Sequence, residues 1–185
     1  NIEEEFEMNR TEKTVRLAKM AMLAAISLAL MLVIRIPFPP APFLVYDPAD
    51  IPIIISGFAF GPLAGIMITI VVSFIQAFAL GGDGIIGFFM HVMATGSFVL
   101  VAGLLYKGHK TKKRAIIALA AGSLLMIVIM IGWNLIITPF YTGAPVEAVI
   151  AMILPILLPF NLLKAVLNSI VIFLIYKPIA KYLHK

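Results

Sequence analysis

The sequence predicts an all-α integral membrane protein: a six-transmembrane-helix bundle with its N- and C-termini cytoplasmic. Three observations carry this. Hydrophobic residues make up 62% of the 185 and charged ones only 12%, whereas a soluble domain is about half apolar and a quarter charged. The apolar residues gather in charge-free runs at 20–34, 51–82, 84–106 and 115–146, with a last run at 148–176 interrupted by Lys164 alone. The cations form three clusters: Arg10, Lys13, Arg16 and Lys19; Lys107, Lys110, Lys112, Lys113 and Arg114; and Lys177, Lys181 and Lys185, with only Arg35 and Lys164 outside them. Lys and Arg collect on cytoplasmic loops, so an even number of crossings must precede the middle cluster and another even number must follow it.

That parity splits the run 51–82 at Gly61-Pro62, a pair that breaks or kinks a helix. Helices are then expected near 14–36, 51–60, 62–80, 84–106, 113–138 and 148–182, with residues 1–12 as an N-terminal cytoplasmic tail and 13–185 as one membrane domain. The first span has a basic flank and an apolar core like a signal peptide, yet no cleavage pattern follows it and Arg35 does, so it is read as a permanent helix. On its surface Ala21, Ala25 and Ala29 recur every four residues, a small-residue ridge that lets another helix come close. The second helix is too short to face lipid and should be packed within the bundle. On the third, Gly65, Thr69, Ser73 and either Gln76 or Ala77 share one side, which reads as close helix packing. The acids Asp47, Asp50, Asp83 and Glu147 fall on outer loops, leaving His91 and Lys164 as the titratable groups of the interior apart from tyrosines.

Six spans of about 20 residues leave no room in 185 residues for a folded soluble domain, and the chain holds no phosphate-binding G-x-x-x-x-G-K-[ST] loop. Any uphill transport must draw its energy from another chain. With no Cys there is no disulfide, thiolate metal site or cysteine nucleophile. Catalysis asks for a nucleophile with a base, or paired acids, within reach; an interior without acids argues against an intramembrane enzyme and against a proton-coupled carrier. No metal, cofactor or nucleic-acid partner is expected.

Ionisable and amide groups within a bilayer are functional candidates by default. Lys164 stands with Asn161 and Asn168 at i, i−3 and i+4, on one helix face. A cation flanked by two amides offers several donors to a ligand's carbonyls, whereas a lysine that merely snorkels to the headgroups needs no amide neighbours. Asn134 lies beside Trp133, the one tryptophan of the chain; an amide next to a flat ring suits a planar heterocycle, although Trp133 equally suits an interfacial aromatic belt. Thr138-Pro139 should end or kink this helix. On helix four, Gly87, His91 and Thr95 repeat at i, i+4 and i+8, and His91 is read as a hydrogen-bonded interior residue rather than a metal ligand.

The first outer loop carries prolines at 37, 39, 40, 42, 48 and 52 beside apolar Phe43, Leu44, Val45 and Tyr46. Such a stiff, apolar loop is expected to fold back over the mouth of the bundle as a lid, with Asp47 or Asp50 capping the next helix.

The run Phe43-Leu-Val-Tyr-Asp-Pro-Ala-Asp-Ile-Pro52, followed by Gly57-Phe-Ala-Phe-Gly-Pro-Leu-Ala-Gly65, resembles the signature of the riboflavin-specific substrate-binding (S) components of energy-coupling factor (ECF) transporters. The likeness runs from about residue 13 through nearly the whole chain and takes in the basic loop after helix four and the stretch from Asn134 to Tyr141. It implies a riboflavin pocket open to the outer face of a bacterial cell membrane, with Asn134, Asn161 and Lys164 as polar contacts and Phe43, Leu44, Tyr46, Asp47, His91 and Trp133 around them. It also implies partners: a transmembrane coupling (T) protein meeting Ala21 and Ala25, and two ATPases. An S component for a different vitamin is the alternative, with an intramembrane enzyme or stand-alone carrier behind it.

Overall fold

Two cations midway along the first helix tie distant parts of the chain to one end of the bundle. In the computed structural model, which describes residues 2–80 and 84–183, Arg16 Nη2 donates to the carbonyl of Phe60 at 2.8 Å and Lys19 Nζ donates to that of Leu183 at 2.6 Å. The elements are α1 (Ile2–Val33), strands β1 (Ile36–Phe38) and β2 (Ala41–Tyr46), α2 (Asp50–Phe60), α3 (Pro62–Ala79), α4 (Gly84–Lys107), α5 (Lys112–Thr142), α6 (Val146–Met152), a π-helical turn (Ile153–Leu157) and α7 (Leu158–Leu183). Arg16 and Lys19 thus cap the carbonyl ends of α2 and α7, where helix dipoles favour cations. Next to these ends, rings from α2, α4 and α7 pack together: Phe58 stacks on Tyr106 at 4.3 Å and both meet Tyr176 edge-on at 5.7 Å. The described members of all three basic clusters therefore share one end; Lys185 lies outside the described residues, as does Asp83.

Five stretches among the described residues are long and apolar enough to cross a membrane: Arg10–Val33, Pro62–Ala79, Gly84–Lys107, Lys112–Thr142 and Val146–Leu183. The sixth apolar helix, α2, has 11 residues, about 16 Å at 1.5 Å per residue against a hydrocarbon core of about 30 Å. Its position follows from α1. Ser27 donates to the carbonyl of Ala49, just before α2, while Arg16 holds Phe60 at its other end. The N-terminus of α2 therefore lies about 9 Å inward of Val33 along α1, and every residue from Asp50 to Ala59 is buried. A half-length helix can be buried all round only because α1, α3, α4 and α7 surround it.

Gly61 permits the reversal into α3: its φ of 95° is the left-handed region that a side chain disfavours, and Pro62 then opens α3. Helix pairs approach closely where side chains are absent. A Cβ on Gly122 would lie 2.3 Å from the Phe98 ring, so α5 sits directly on α4.

Several expected boundaries shift for physical reasons. α1 is helical from Ile2, within the stretch expected as a tail, and ends at Val33 because Ile36 begins a strand. α5 runs through Pro139 to Thr142 instead of ending at Thr138. Proline removes one backbone donor there, and the last turn is secured by Thr142 Oγ1 bonding the Thr138 carbonyl and by the Gly143 N–H bonding Pro139. The final helix is not uniform: Pro155, lacking an N–H, sits in the π turn between α6 and α7.

The proline-rich outer segment is a hairpin, a small β addition to an otherwise helical protein. β1 and β2 pair antiparallel, Ile36 with Tyr46 and Pro37 with Val45, before a bulge sets Phe38 opposite Ala41. Its apolar face is buried: Ala41 and Leu44 join Val149, Leu157 and Phe160 in a second core, and the Phe38 and Phe160 rings lie 5.5 Å apart.

Candidate functional site

Because α2 begins partway through the bundle, the chain leaving the hairpin carries its two acids inward. This overturns the expectation that Asp47 and Asp50 lie on an outer loop: both are buried. Neither caps α2 as expected. Ala49 holds the cap position without a side-chain bond, and Asp47 Oδ1 instead accepts the Ala49 N–H at 3.1 Å, a turn two residues long. Asp50 points into the helix junction, so the interior is not free of acids.

Four donors converge on Asp50. Thr95 Oγ1 donates to its Oδ1 at 2.6 Å and His91 Nε2 meets the same oxygen at 2.9 Å. On Oδ2 it receives Lys164 Nζ at 3.0 Å and Asn168 Nδ2 at 3.4 Å. A carboxylate only accepts, so His91 donates to it from Nε2, while Nδ1 pairs with Ser73 Oγ at 3.0 Å. Both ring nitrogens are thereby occupied. Lys164 also faces Asp47 Oδ2 at 3.8 Å. Tyr46 of the hairpin donates to Asn168 Oδ1 at 3.1 Å, linking β2 to the same network. Lys164 does not snorkel: its side chain retains 16% exposure and faces carboxylates, as an interior cation must if its desolvation is to be offset.

A cavity of about 200 Å³ opens above this cluster, lined by Lys164, His91, Asp47, Arg35, Ser73 and Gln76 together with apolar Phe43, Leu44, Met90 and Phe160. A second hollow of about 80 Å³ lies beside Asn134, Thr138 and Tyr141, and it too is bounded by Phe43, Leu44 and Met90. Residues of β2 therefore stand between the two. Ser73, Gln76 and Ala77 also line the larger cavity, beyond the packing expected of them; on the same side Gly65 comes close to Val99 and Thr69 is buried, as packing residues should be. Gln76 Oε1 is buried without a hydrogen-bond partner, on a residue that lines the hollow.

The expected amides are placed differently from one another. Asn134 is buried at the smaller hollow, its Nδ2 donating to the Met130 carbonyl at 2.8 Å and its Oδ1 accepting from Thr138 at 2.9 Å. Asn161 is buried but back-bonds to the Leu157 carbonyl at 2.8 Å, beside the π turn, and lines neither hollow. Trp133 is half-buried and likewise lines neither. Ala21, Ala25 and Ala29 are all exposed, on the side of α1 away from buried Leu23, Ala24 and Ser27. The principal residue missed from sequence is Asp50. The signal was present: a lone cation inside an apolar bundle requires a carboxylate, and Asp47 and Asp50 were the acids nearest the bundle mouth.

No group of three or more metal-ligating side chains occurs among the described residues. The site can supply a neutral ligand with donors and acceptors, since two cations, Arg35 and Lys164, are matched by the carboxylates of Asp47 and Asp50.

Residues 15–176 match the family model of the ECF transporter substrate-specific component. The chain is 32% identical over 181 residues to the riboflavin transporter RibU of Staphylococcus aureus, covering 94% of this chain and 95% of that protein. It is 32% identical over 178 residues to the riboflavin transporter FmnP of Bacillus subtilis, covering 89% and 91%. A solved structure of the S component of a bacterial ECF transporter superimposes with a TM-score of 0.78 at 31% identity, covering 94% of this chain and 99% of that one.

Proposed function

This chain belongs to the substrate-specific components of ECF transporters, and from that premise we propose that it captures riboflavin at the outer face of a bacterial cell membrane. It is a transport component and not an enzyme. Its relatives named as riboflavin transporters, matched end to end, support that ligand over another vitamin.

The observation that carries the reading is the ion-paired cluster of Asp47, Asp50 and Lys164 beneath a hollow roofed by the hairpin, with Arg35 as the second cation on its wall. Riboflavin is uncharged, with a flat ring system, a polar pyrimidine edge and a hydroxylated chain. Apolar Phe43, Leu44, Met90 and Phe160 suit the ring, while Lys164, Gln76 and Asn134 offer fixed polar partners and His91 adds a wall of the cavity. Each hollow is below the roughly 300 Å³ at which small-molecule pockets begin. Joining them requires Phe43 and Leu44 to move, which supports a role for the hairpin as a lid. Asn161, bonded to its own helix, contacts ligand only if that bond is exchanged; Tyr46 acts through its hydrogen bond to Asn168, which ties the hairpin to the cluster.

The chain crosses the membrane six times in this reading, α2 serving as a short interior crossing, with both termini and residues 1–12 cytoplasmic. Positive-inside charge, with Arg10, Arg16, Lys19, Lys107 and Lys181 toward one end, supports that orientation. The exposed alanines at 21 and 25 would meet the T protein, with the two ATPases supplying the energy.

Titrating purified protein with riboflavin and following flavin fluorescence tests the proposal. Binding should be tight, and Lys164→Ala and Asn134→Ala should each weaken it by more than tenfold, the scale of a lost charged or buried hydrogen bond, about 1.5–3 kcal/mol. Binding of another vitamin from a panel, with riboflavin ignored, would overturn the ligand; undiminished affinity in both variants would overturn the site.

A further inference from the structure

On the far side of α7 from α1, an apolar groove of about 390 Å³ lies between α5 and α7. Its walls are Ile116, Ala120 and Ser123 from α5 and Ser169, Ile170 and Leu174 from α7, and across it Ser123 and Ser169 hydrogen-bond at 3.1 Å. The two serines satisfy each other, so the groove presents hydrocarbon. On α5 the stripe spans about 10 Å and on α7, from Val166 to Leu174, about 12 Å. That is less than one leaflet of a bilayer, about 15 Å, whereas a docked transmembrane helix would call for a seam along most of α5.

Both stripes run into cations at the end toward the basic clusters. Lys112 and Lys113 precede Ile116 by four and three positions, and Lys177 follows Leu174 by three, so each continues its helix's groove-facing stripe; Lys181 lies one turn further. α5 and α7 run antiparallel past the serine pair. Measured along the helices from it, Lys177 stands about 12 Å away, Lys113 about 15 Å, Lys112 about 16 Å and Lys181 about 18 Å, so the four fall within little more than one helical turn of each other in depth. All four are exposed, and none pairs with a carboxylate among the described residues.

We propose that this groove holds one acyl chain of an anionic phospholipid from the basic-side leaflet, with its phosphate among Lys112, Lys113 and Lys177. An acyl chain fits an apolar channel one leaflet deep, and a phosphate meets the cations that stand unpaired at its mouth. The small side chains of Ala120, Ser123 and Ser169 make the channel; the lysines choose the headgroup.

The test is native mass spectrometry of the full-length detergent-purified protein titrated with phosphatidylglycerol, with phosphatidylcholine of the same acyl chains, or with glycerol phosphate. One phosphatidylglycerol should remain bound at least tenfold more tightly than phosphatidylcholine, and glycerol phosphate should not be retained. Lys112→Ala/Lys177→Ala should abolish the preference, and Ala120→Phe, which fills the groove and leaves the lysines in place, should also lose the retained lipid. Riboflavin affinity, unchanged in both variants, reports that they are folded, so a failure here is distinct from a failure of the ligand assignment. Equal retention of the two lipids, or an Ala120→Phe protein that keeps its phosphatidylglycerol, would leave only general attraction between cations and anionic lipid and would overturn the site. A second copy of the chain seated on this face, seen as a dimer that Ala120→Phe abolishes, would overturn it as well.

Discussion

Lys164 Nζ lies 3.0 Å from Asp50 Oδ2, so the cation of the last helix is neutralised by the first residue of a helix that begins inside the bundle. The pair joins α7 to α2, and through His91, Thr95 and Tyr46 it reaches α3, α4 and the hairpin. Removing one member of a buried ion pair strands the other and typically costs about 3–5 kcal/mol, whereas exchanging both for apolar residues is often close to neutral. Asp50→Ala should therefore lower the thermal midpoint in detergent substantially, and Asp50→Leu combined with Lys164→Met should recover most of the loss while abolishing riboflavin binding. If Asp50→Ala melts like exposed Glu147→Ala, the pair has no structural role.

Gln76 supplies a separate test of the cavity. Its Oε1 is buried without a partner, and deleting an unsatisfied acceptor relieves a desolvation cost rather than breaking a bond. Gln76→Leu should leave the ligand-free midpoint unchanged or slightly higher and weaken riboflavin binding by about three- to tenfold, the worth of one hydrogen bond of about 1 kcal/mol. Isothermal titration beside a melting curve separates the two effects. A variant that binds as well as the parent would show that this oxygen meets no ligand.

Helix packing makes a third prediction. The Cβ of Gly122→Ala would stand 2.3 Å from the Phe98 ring and 3.0 Å from its carbonyl oxygen, forcing α4 and α5 apart at a cost of about 1–3 kcal/mol. Gly132→Ala on the same helix meets nothing within 4 Å and should stabilise by about 0.5–1 kcal/mol through lost chain freedom. Thermal midpoints of opposite sign are expected; Phe98→Leu should partly rescue Gly122→Ala.

Much of this architecture was legible in the sequence because lipid imposes few choices. Apolar runs, three cation clusters and Gly61-Pro62 sufficed for the helices and for the interior position of α2. Depth was not legible. Hydropathy reports that residues 51–60 are apolar but not that Asp50 starts partway through the bundle, which depends on where Ser27 meets Ala49. From that single offset follow the burial of both acids and the true partners of Lys164. The amides illustrate a different limit: Asn134 and Asn161 bond carbonyls of their own helices, a local choice that spacing along a helix face does not reveal. Gln76 and Ser73 were hidden in a stripe of small residues because packing and cavity-lining leave the same sequence pattern.

The hairpin offers the sharpest test of motion. It is held by the Tyr46 to Asn168 hydrogen bond and by the Phe38 and Phe160 rings, 5.5 Å apart, while Phe43 and Leu44 divide the two hollows. If the hairpin must lift for riboflavin to pass, loosening its tie should speed exchange. Tyr46→Phe removes one hydrogen bond, about 1 kcal/mol, and at tenfold per 1.4 kcal/mol should raise the dissociation rate by about fivefold in stopped-flow fluorescence. Holding it shut should do the reverse. The chain has no cysteine, so Phe38→Cys/Phe160→Cys provides a unique pair for a short bifunctional maleimide. Crosslinking before riboflavin is added should slow association by orders of magnitude; crosslinking afterwards should trap the vitamin. Unaltered association in the crosslinked protein would mean that riboflavin reaches the Lys164 cluster by a path the hairpin does not cover.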